Sequence, residues 1–380
     1  MKAIVNGKIV VPDGIHEGHA LLFNERILDI VDANAIPANV EKIDAGNGYV
    51  LPGLIDMHIH GYLGEDVSDG SYEGIRVMAQ GIVKNGVTGF LPTTMTISYP
   101  ALHAAFRQVR KAMKDSHSSE WKGACVLGVN AEGPFINPSR KGAQSGENIR
   151  TGDKEFLQEY LDILRVFTIA PEMPGNMDCV RAMAGKTLVS MGHTDATYPQ
   201  AISAIDAGVR HITHLFNAQT PLKHRDPGVV GAALSDDRVS CEIIADKFHI
   251  HPGLFDIVAR LKRDKLVLIT DCTRAGGLED GEYTLGGQPI FVRGIECRLK
   301  DGTIAGSVLK LNQAVHNMRE NCSLPLWEIV NMASLNPARC IGLDATKGSI
   351  EIGKDADIVL CDESICVKAT FIGGHAVYRA

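Results

Sequence analysis

The chain has 380 residues, a formal net charge of −7, 45% hydrophobic residues and 22% charged residues, a composition typical of a folded globular protein. Its length suits a barrel of about 250 residues together with a smaller domain. The acidic balance and the lack of a Lys/Arg block argue against nucleic acid as a partner. No apolar run reaches the roughly 18 residues that cross a membrane, so no membrane partner is expected.

The nine cysteines are scattered along the chain, and no two of them form a Cys-x-x-Cys pair. This pattern indicates reduced thiols and argues against a disulfide framework. The first residues break into strand and turn patterns and lack the apolar core of a signal peptide. We therefore expect a cytoplasmic protein.

Both ends of the chain are rich in short strand patterns separated by turns. Near the N-terminus the strand candidates are 3–5, 8–11, 20–23 and 27–31. The segments GSIEIGKDADIVLCD and VKATFIGGHAVYRA repeat this style near the C-terminus. We predict one small β-sandwich domain formed by residues 1–52 and 345–380, with residues 53–344 inserted as a catalytic domain.

The central part of the chain alternates between strand and helix patterns. Strand candidates are 54–60, 87–93, 124–131, 165–170, 187–193, 209–215, 240–245 and 266–271, and helix candidates include 101–114, 154–164, 199–207 and 253–263. Eight such units predict an α/β fold, specifically a (β/α)8 TIM-type barrel. In this fold the working residues lie at the carboxyl ends of the strands.

The first barrel strand carries a pair of histidines within LPGLIDMHIHG, residues 51–61. Side chains alternate faces along a strand, so His58 and His60 project to the same side, roughly 6 to 7 Å apart. Two imidazoles in this arrangement can hold one transition-metal ion. Taken alone, the pair is equally compatible with ordinary polar residues at a strand end.

Other predicted strand ends carry Glu132, His193, His214 and Asp271. Each has an ordinary alternative, because Asp271 could cap a helix and His214 could be a hydrogen-bonded core residue. Six metal-ligand or proton-transfer residues at successive strand ends, counting the histidine pair, predict a metal site. A divalent ion held by imidazoles and a carboxylate lowers the pKa of a bound water from about 15.7 to about 7. Asp271 can then accept the water's proton and pass it to a departing amide nitrogen.

Five segments carry a resemblance to a known family: PGLIDMHIHG, NAEGPFINPSRKGA (130–143), MGHTDA (191–196), THLFNAQTPLKHRDPG (213–228) and DKFHIHP (246–252). Together they resemble the N-acetylglucosamine-6-phosphate deacetylases of the amidohydrolase superfamily, over essentially the whole chain. The resemblance implies a metal-dependent hydrolase that converts N-acetylglucosamine 6-phosphate into glucosamine 6-phosphate and acetate, with Asp271 as the proton shuttle. The implied partner is therefore a small amino-sugar phosphate.

By the same resemblance, Glu132, His193 and His214 bind a metal ion. His58 and His60 are replaced by amides in some members of the family, and their presence implies a second ion position with Glu132 as a bridge. One or two divalent ions per chain are expected. Zinc is our first choice, and histidine and carboxylate ligands also accommodate Fe, Mn, Co or Ni.

The resemblance also implies a set of substrate-binding residues: Ala143, Gln144, Asn217, Ala218, Arg225, His249, Ile304, Ala305 and Gly306. Gln144 stands where the family often has histidine, which leaves the polarisation of the substrate carbonyl and the choice of sugar open. In relatives the residue at Arg225 reaches the phosphate in a neighbouring subunit, which implies a homodimer. A lone arginine in such a loop is otherwise a solvated surface charge.

Two alternatives to the glucosamine substrate remain at this point. The galactosamine epimer is the nearest rival within enzymes, since loops that the sequence does not place read the hydroxyl that differs. A catalytically silent sugar-phosphate-binding barrel is the rival from another class, although such proteins usually lose metal ligands. A cyclic-amide or ureido hydrolase fits the fold but neither Glu132 nor the segment 217–225. Asp195, which follows His193 closely, is interpreted as a helix cap, with a partner that orients a metal ligand as the alternative.

Overall fold

The computed structural model describes residues 1–118 and 120–380, and its centre is a barrel of eight parallel strands. The strands are Leu54–Ile59, Val87–Thr94, Val129–Glu132 with the short Cys125–Val126 before it, Leu164–Ile169, Leu188–Met191, His211–Ile212, Ser240–Ile244 and Leu266–Ile269. The first and last strands meet where the Asp271 N–H donates to the His58 carbonyl and the His60 N–H to the Cys272 carbonyl, both at 2.9 Å. The predicted TIM-type barrel is confirmed.

Helices surround this barrel and bury its outer face. They are Tyr72–Ile82, Tyr99–Asp115, Lys154–Glu159, Asn176–Met183, Tyr198–Ala207, Gly228–Ser235, Phe255–Lys262, Leu311–Asn321, Leu326–Met332 and Leu335–Cys340. Short 3₁₀ turns occupy Ala33–Ala35, Val67–Asp69, Val83–Asn85, Pro138–Arg140, Gly146–Asn148, Pro252–Leu254 and Arg263–Lys265. Every residue of the second barrel strand is buried, as expected for parallel strands covered on both faces. Among the helices of the described residues, none has the length and apolar content needed to cross a membrane.

Two sheets form a terminal domain from both ends of the chain. One has the order Ile27–Asp32, His19–Phe23, Lys2–Val5, Glu41–Asp44, and the other His375–Arg379, Val367–Ile372, Ile358–Cys361, Tyr49–Pro52, Lys8–Val11, Gly14–His16. Phe23 from one sheet meets Phe371 from the other edge to face, with ring centroids 5.9 Å apart. The predicted sandwich is thus present. Its limits at residues 52 and 345 stay a prediction, because Tyr49–Pro52 continues across Gly53 into the first barrel strand.

Two small sheets at the carboxyl end of the barrel were not predicted. Gly61–Tyr62 pairs with Glu65–Asp66, and Gly281–Leu285, Gln288–Arg293 and Glu296–Leu299 form an antiparallel three-stranded sheet, here called the rim sheet. The rim sheet packs Leu285 and Ile290 against Met95 and Ala143. It therefore lies over the loops that follow the second and third barrel strands.

Candidate active site

A cavity of about 370 Å³, here called the rim cavity, opens at the carboxyl end of the barrel. Twelve of the fifteen predicted site residues line it: His60, Glu132, Ala143, Gln144, His193, His214, Asn217, Ala218, His249, Asp271, Ile304 and Gly306. His58 lies buried next to this lining, whereas Ala305 points into the core of the rim sheet and Arg225 is exposed. The volume is within the range of small-molecule sites.

Three of these side chains reach the cavity through an uncommon backbone conformation. His193, His214 and Asp271 have φ angles of 46°, 27° and 49°, in the left-handed region that residues with a Cβ seldom adopt. Each follows the end of a barrel strand, so the change of φ ends the strand's alternation and turns the side chain inward. Strain of this kind, on the order of 1 kcal/mol or more per residue, is concentrated at functional sites.

Two groups of three potential metal ligands meet at the base of the cavity. Glu132, His193 and His214 form one group, and His58, His60 and Asp271 form the other, with the ligand atoms of each group within 4.8 Å of one another. In the first group, Glu132 Oε1 lies 3.1 Å from His193 Nε2 and 2.9 Å from His214 Nε2.

The second group is joined to the first through the two carboxylates. Asp271 Oδ1 lies 3.1 Å from His60 Nε2 and 3.5 Å from His58 Nε2. The same two imidazoles approach Glu132, with His58 Nε2 at 3.4 Å from Oε1 and His60 Nε2 at 3.3 Å from Oε2. Glu132 therefore contacts all four histidines and lies between the two groups of potential ligands.

The outer nitrogens of the four imidazoles fix which nitrogen faces inward. His60, His193 and His214 direct Nδ1 at the carbonyl oxygens of Thr93, Arg140 and Asn217, and His58 directs Nδ1 at Glu242. Carbonyls and carboxylates only accept hydrogen bonds, so Nδ1 carries the proton in each ring.

The four Nε2 atoms consequently crowd together at the centre of the site. His58 Nε2 is 3.3 Å from His60 Nε2, and His193 Nε2 is 3.1 Å from His214 Nε2. Nitrogens this close to one another and to two carboxylates suit a shared positive charge, which is a proton in the ion-free protein or a bound cation. The donor set of imidazole nitrogen and carboxylate oxygen fits zinc and similar divalent ions.

In the ion-free protein, the close approach of imidazoles and carboxylates shifts the pKa values of His60, Glu132 and Asp271. Burial alone would lower the pKa of His60, but hydrogen bonds with Asp271 and Glu132 raise it to about 10. Burial alone would raise the pKa of Glu132, but the charges of His193 and His58 hold it well below its usual range. The pKa of Asp271 is lowered in the same way, since the His60 hydrogen bond outweighs burial. Both carboxyl groups are therefore ionised at neutral pH.

Glu242 supports the site from the seventh strand and was missed in the sequence. Its side chain is fully buried, with Oε2 3.0 Å from His58 Nδ1 and Oε1 3.1 Å from His211 Nε2. It also accepts the backbone N–H of His214 at 3.1 Å. Although burial opposes ionisation, the His58 charge and the His211 hydrogen bond lower the pKa of Glu242. One carboxylate thus orients ligands from both groups.

Gln144 lines the cavity, but its amide is engaged by the protein. The Thr96 N–H donates to its Oε1 at 2.6 Å, which directs Nε2 toward Glu132 Oε2 and, at 3.6 Å, toward Met95 Sδ. An amide nitrogen has only two hydrogens to donate. The geometry therefore assigns Gln144 to holding Glu132, and its expected contact with substrate stays a prediction.

The other predicted binding residues surround the open side of the cavity. His249 is held by Asp246, whose Oδ2 lies 2.6 Å from its Nδ1. Asn217 and Ala218 form the loop after His214, and Ala218 has a φ of 52°. Arg140 also lines the cavity and was not predicted; its guanidinium binds Asp195 Oδ1 at 2.8 Å.

Asp195 is not the helix cap that was predicted. The helix Tyr198–Ala207 is instead capped by Thr197, which forms a reciprocal capping box with Gln200. Asp195 is left in the preceding loop, where it pairs with Arg140. The capping box places Gln200 three residues after its cap, which is the spacing that could have identified it in the sequence.

Comparison with known proteins agrees with this architecture. Residues 49–377 match the family model described as the amidohydrolase family, and the chain belongs to that family. It is thus an enzyme that acts on amide bonds.

Within that family, the resemblance to N-acetylglucosamine-6-phosphate deacetylases is confirmed. The chain is 41% identical to the enzyme of that name from Bacillus subtilis (strain 168) over 351 residues, 90% of this chain and 88% of that protein. It is 34% identical to the N-acetylgalactosamine-6-phosphate deacetylase of Escherichia coli O157:H7, over 97% of both chains. The crystal structure of N-acetylglucosamine-6-phosphate deacetylase from Pasteurella multocida superposes with a TM-score of 0.93 at 31% identity, covering 99% of both chains.

Proposed function

We propose that the chain hydrolyses the acetamide bond of N-acetylglucosamine 6-phosphate, giving glucosamine 6-phosphate and acetate. The observation that carries this proposal is the convergence of four imidazole Nε2 atoms on Glu132 and Asp271, at the base of a cavity of about 370 Å³. The names of the relatives supply the substrate class, since most of those described are deacetylases of N-acetylglucosamine 6-phosphate.

The chain's donor atoms fit one or two divalent ions. Glu132, His193 and His214 would hold the first ion, and His58 and His60, with Glu132 between the groups, would hold the second. When bound, such an ion lowers the pKa of a coordinated water to about 7 and polarises a carbonyl oxygen. Zinc is our proposal, and Fe, Mn, Co and Ni have compatible ligand preferences.

Asp271 is proposed as the catalytic acid and base. Its lowered pKa keeps the carboxylate ionised, so it can accept a proton from the attacking water. It then delivers that proton to the departing sugar nitrogen, which leaves poorly as an anion. The Asp271 N–H donates to the His58 carbonyl at 2.9 Å, which holds the residue in position for both transfers.

The remaining cavity residues are proposed to orient the sugar phosphate. The backbone of Asn217 and Ala218 and the imidazole of His249 are polar groups suited to the phosphate and ring hydroxyls, and His249 is fixed by Asp246. Ala143, Ile304, Ala305 and Gly306 belong to the loops that form or support the cavity wall. Gln144 is proposed to act through Glu132, as described above.

We further propose a homodimer in which Arg225 completes the neighbouring active site. Arg225 is exposed and does not line the cavity of its own chain. Ile257 and Leu261, one turn apart on the helix Phe255–Lys262, are 45% and 52% exposed and offer a second copy an apolar surface to pack against. A guanidinium suits phosphate because it donates two parallel hydrogen bonds.

Mixed dimers test the Arg225 proposal. Arg225→Ala and Asp271→Asn should each lose turnover, but a dimer with one subunit of each type contains one site with both Asp271 and an arginine from its neighbour. Activity should therefore return in differently tagged, copurified mixed dimers. If mixed dimers stay as inactive as the parents, Arg225 does not serve a neighbouring site.

The central experiment is acetate release from N-acetylglucosamine 6-phosphate by protein reloaded with zinc, compared with the galactosamine epimer and with unphosphorylated N-acetylglucosamine. We expect the highest kcat/KM for the glucosamine phosphate. The relative from Escherichia coli O157:H7 makes the galactosamine epimer the second candidate, and a clear preference for that sugar would replace the first. If no amino-sugar phosphate released acetate, the result would favour the alternative hypothesis of a catalytically silent barrel that binds sugar phosphate.

We also infer a cytoplasmic location. The support is the state of the nine cysteines, all of which are free, in keeping with a reducing compartment.

A further inference from the structure

Glu172 follows the fourth barrel strand and accepts three hydrogen bonds. Its Oε1 accepts from Asn137 Nδ2 at 2.8 Å and from the Asp195 N–H at 2.7 Å, and its Oε2 accepts from the Thr194 hydroxyl at 2.5 Å. The carboxylate does not line the rim cavity. Its partners nevertheless belong to two loops that do.

Both loops hold His193. Thr194 and Asp195 directly follow it, and the Asn137 N–H donates to the His193 carbonyl at 2.9 Å. The loop that begins at Asn137 also supplies the Arg140 carbonyl, which lies 2.8 Å from His193 Nδ1. Glu172 thus joins the segment that follows His193 to the segment that orients its ring.

His193 needs such support because its backbone is strained. Its φ of 46° is maintained only where the surrounding structure leaves no alternative. Hydrogen bonds to an ionised acceptor are stronger than those between neutral groups. The Thr194 side chain is fully buried. Its hydroxyl oxygen accepts the Ala196 N–H at 3.1 Å, but its O–H would lose its acceptor if Glu172 were removed.

We propose that Glu172 is a positioning residue that sets the affinity of the Glu132–His193–His214 group for its ion, by fixing the direction of His193 Nε2. The inference rests on the proposed metal-dependent function, although its test needs no substrate. The His58–His60–Asp271 group comes from the first and last strands and should be affected less. Partners that orient a ligand typically change metal affinity by about 10- to 100-fold.

The test is the binding of Zn²⁺ alone to ion-free protein, measured in competition with a chromogenic chelator. Glu172→Ala should lower the affinity for one of the bound ions by about 10-fold or more. Glu172→Gln retains an oxygen for Asn137 and Asp195, so its Zn²⁺ affinity should stay close to that of the parent protein. A general loss of packing at this position would not explain a difference between the two variants. Asp178→Asn is the matched control, because Asp178 is 84% exposed on the next helix, and it should leave the affinity unchanged.

Thr194→Val provides a milder variant that keeps the shape of a buried side chain. It removes one of the three hydrogen bonds to Glu172 and the hydrogen bond from the Ala196 N–H. It should weaken the same ion by a smaller factor. Zn²⁺ affinity unchanged in Thr194→Val and in folded Glu172→Ala would overturn the inference, as would equal weakening of both ions. A parent protein that binds no Zn²⁺ would overturn the metal proposal itself, whereas a parent that binds Zn²⁺ and releases no acetate would leave Glu172 in its role.

Discussion

The rim cavity and a second, larger cavity of about 680 Å³ differ in how their charges are balanced. The second cavity, here called the junction cavity, lies between the terminal domain and the barrel. Its lining includes Lys347, with Nζ 2.8 Å from Asp357 Oδ2 and 3.0 Å from Asp355 Oδ2, and Arg26, with NH1 3.3 Å from Asp355 Oδ1.

These four charged groups of the junction cavity thus pair as opposite charges, whereas the rim cavity brings like atoms together. At the rim, like atoms converge, with two pairs of imidazole nitrogens 3.1 to 3.3 Å apart. Such an arrangement could hold a cation, and three of its residues have a strained backbone. The size of a cavity therefore indicates its chemistry less well than the state of its hydrogen-bonding atoms.

The sharpest test of this contrast is Asp271→Asn in the rim cavity. Loss of the general acid and base should lower kcat by about 10²- to 10⁴-fold, while Zn²⁺ content and the midpoint of thermal unfolding stay near those of the parent. Acetate release, metal analysis and calorimetry measure the three quantities. A variant that keeps more than roughly a tenth of the parent kcat would contradict the role of Asp271.

Lys347→Met in the junction cavity should give the opposite result. Removing the cation leaves Asp357, whose side chain is 5% exposed, buried beside a neutral group, which should lower the free energy of unfolding by about 3 kcal/mol. The kcat/KM of the folded variant should not change. Exposed Lys84→Met serves as the control in urea unfolding, and a stable but inactive Lys347 variant would break the contrast.

Stability of the ion-free protein should also respond to pH through buried histidines, His211 and His60, and not through Lys347. Burial alone would lower the pKa of His211, but hydrogen bonds with Cys340 and Glu242 raise it to about 9. Because the folded pKa lies above the ordinary value of 6.5, the stabilisation is complete below about pH 6.5 and is lost as pH rises toward 9.

The expected loss is on the order of 1 to 3 kcal/mol over that range in ion-free protein. The pKa of Lys347 is raised above its ordinary value of 10.5, so the junction pair stays charged throughout. Unfolding free energies at pH 6, 7.5 and 9 provide the measurement. His211→Asn should reduce the slope, and the slope that remains is assigned to His60, whose pKa is also raised. An unchanged slope in that variant would assign the pH dependence to another group.

The smallest effect is expected for Asp195→Asn at the edge of the rim cavity. The Arg140 and Asp195 side chains are 35% and 46% exposed, and exposed ion pairs contribute about 1 kcal/mol or less. The free energy of unfolding should stay within about 1 kcal/mol of the parent value. The kcat/KM should stay within a few-fold of the parent value. A large loss of activity would mean that Arg140 depends on this pair to meet the substrate.

The chain's pattern was sufficient to predict the barrel and the set of residues at its carboxyl end. Strand alternation placed His58 beside His60, and the common edge of parallel strands placed Glu132 and Asp271 near them. The predicted strands 187–193 and 209–215 are longer than the observed Leu188–Met191 and His211–Ile212. The ladders end early because the left-handed backbone of His193 and His214 interrupts them, and periodicity carries no information about φ.

The supporting residues were harder to predict, for different reasons. Glu242 lies within an apolar strand, where a buried carboxylate needs a charged or polar partner. The sequence indicates that a partner is required but does not identify it. Glu172 lies in a loop, and its three hydrogen bonds depend on contacts between distant segments. The rim sheet was predictable, because Gly286-Gly287 separates two alternating segments in the manner of a hairpin. The proposed role of Arg225 depends on a contact with a second subunit. The sequence of one chain indicates that contact only through the resemblance to relatives.

The antiparallel pairing of Tyr49–Pro52 with Ile358–Cys361 joins residues more than 300 positions apart. During synthesis on the ribosome, the strand that leads into His58 therefore cannot pair until almost all of the chain has been made. Pairings of such high contact order form slowly, because loop closure must precede them. A nascent chain should accordingly acquire its ion only after release, and a ribosome-stalled chain ending before residue 358 would be a direct way to observe the delay.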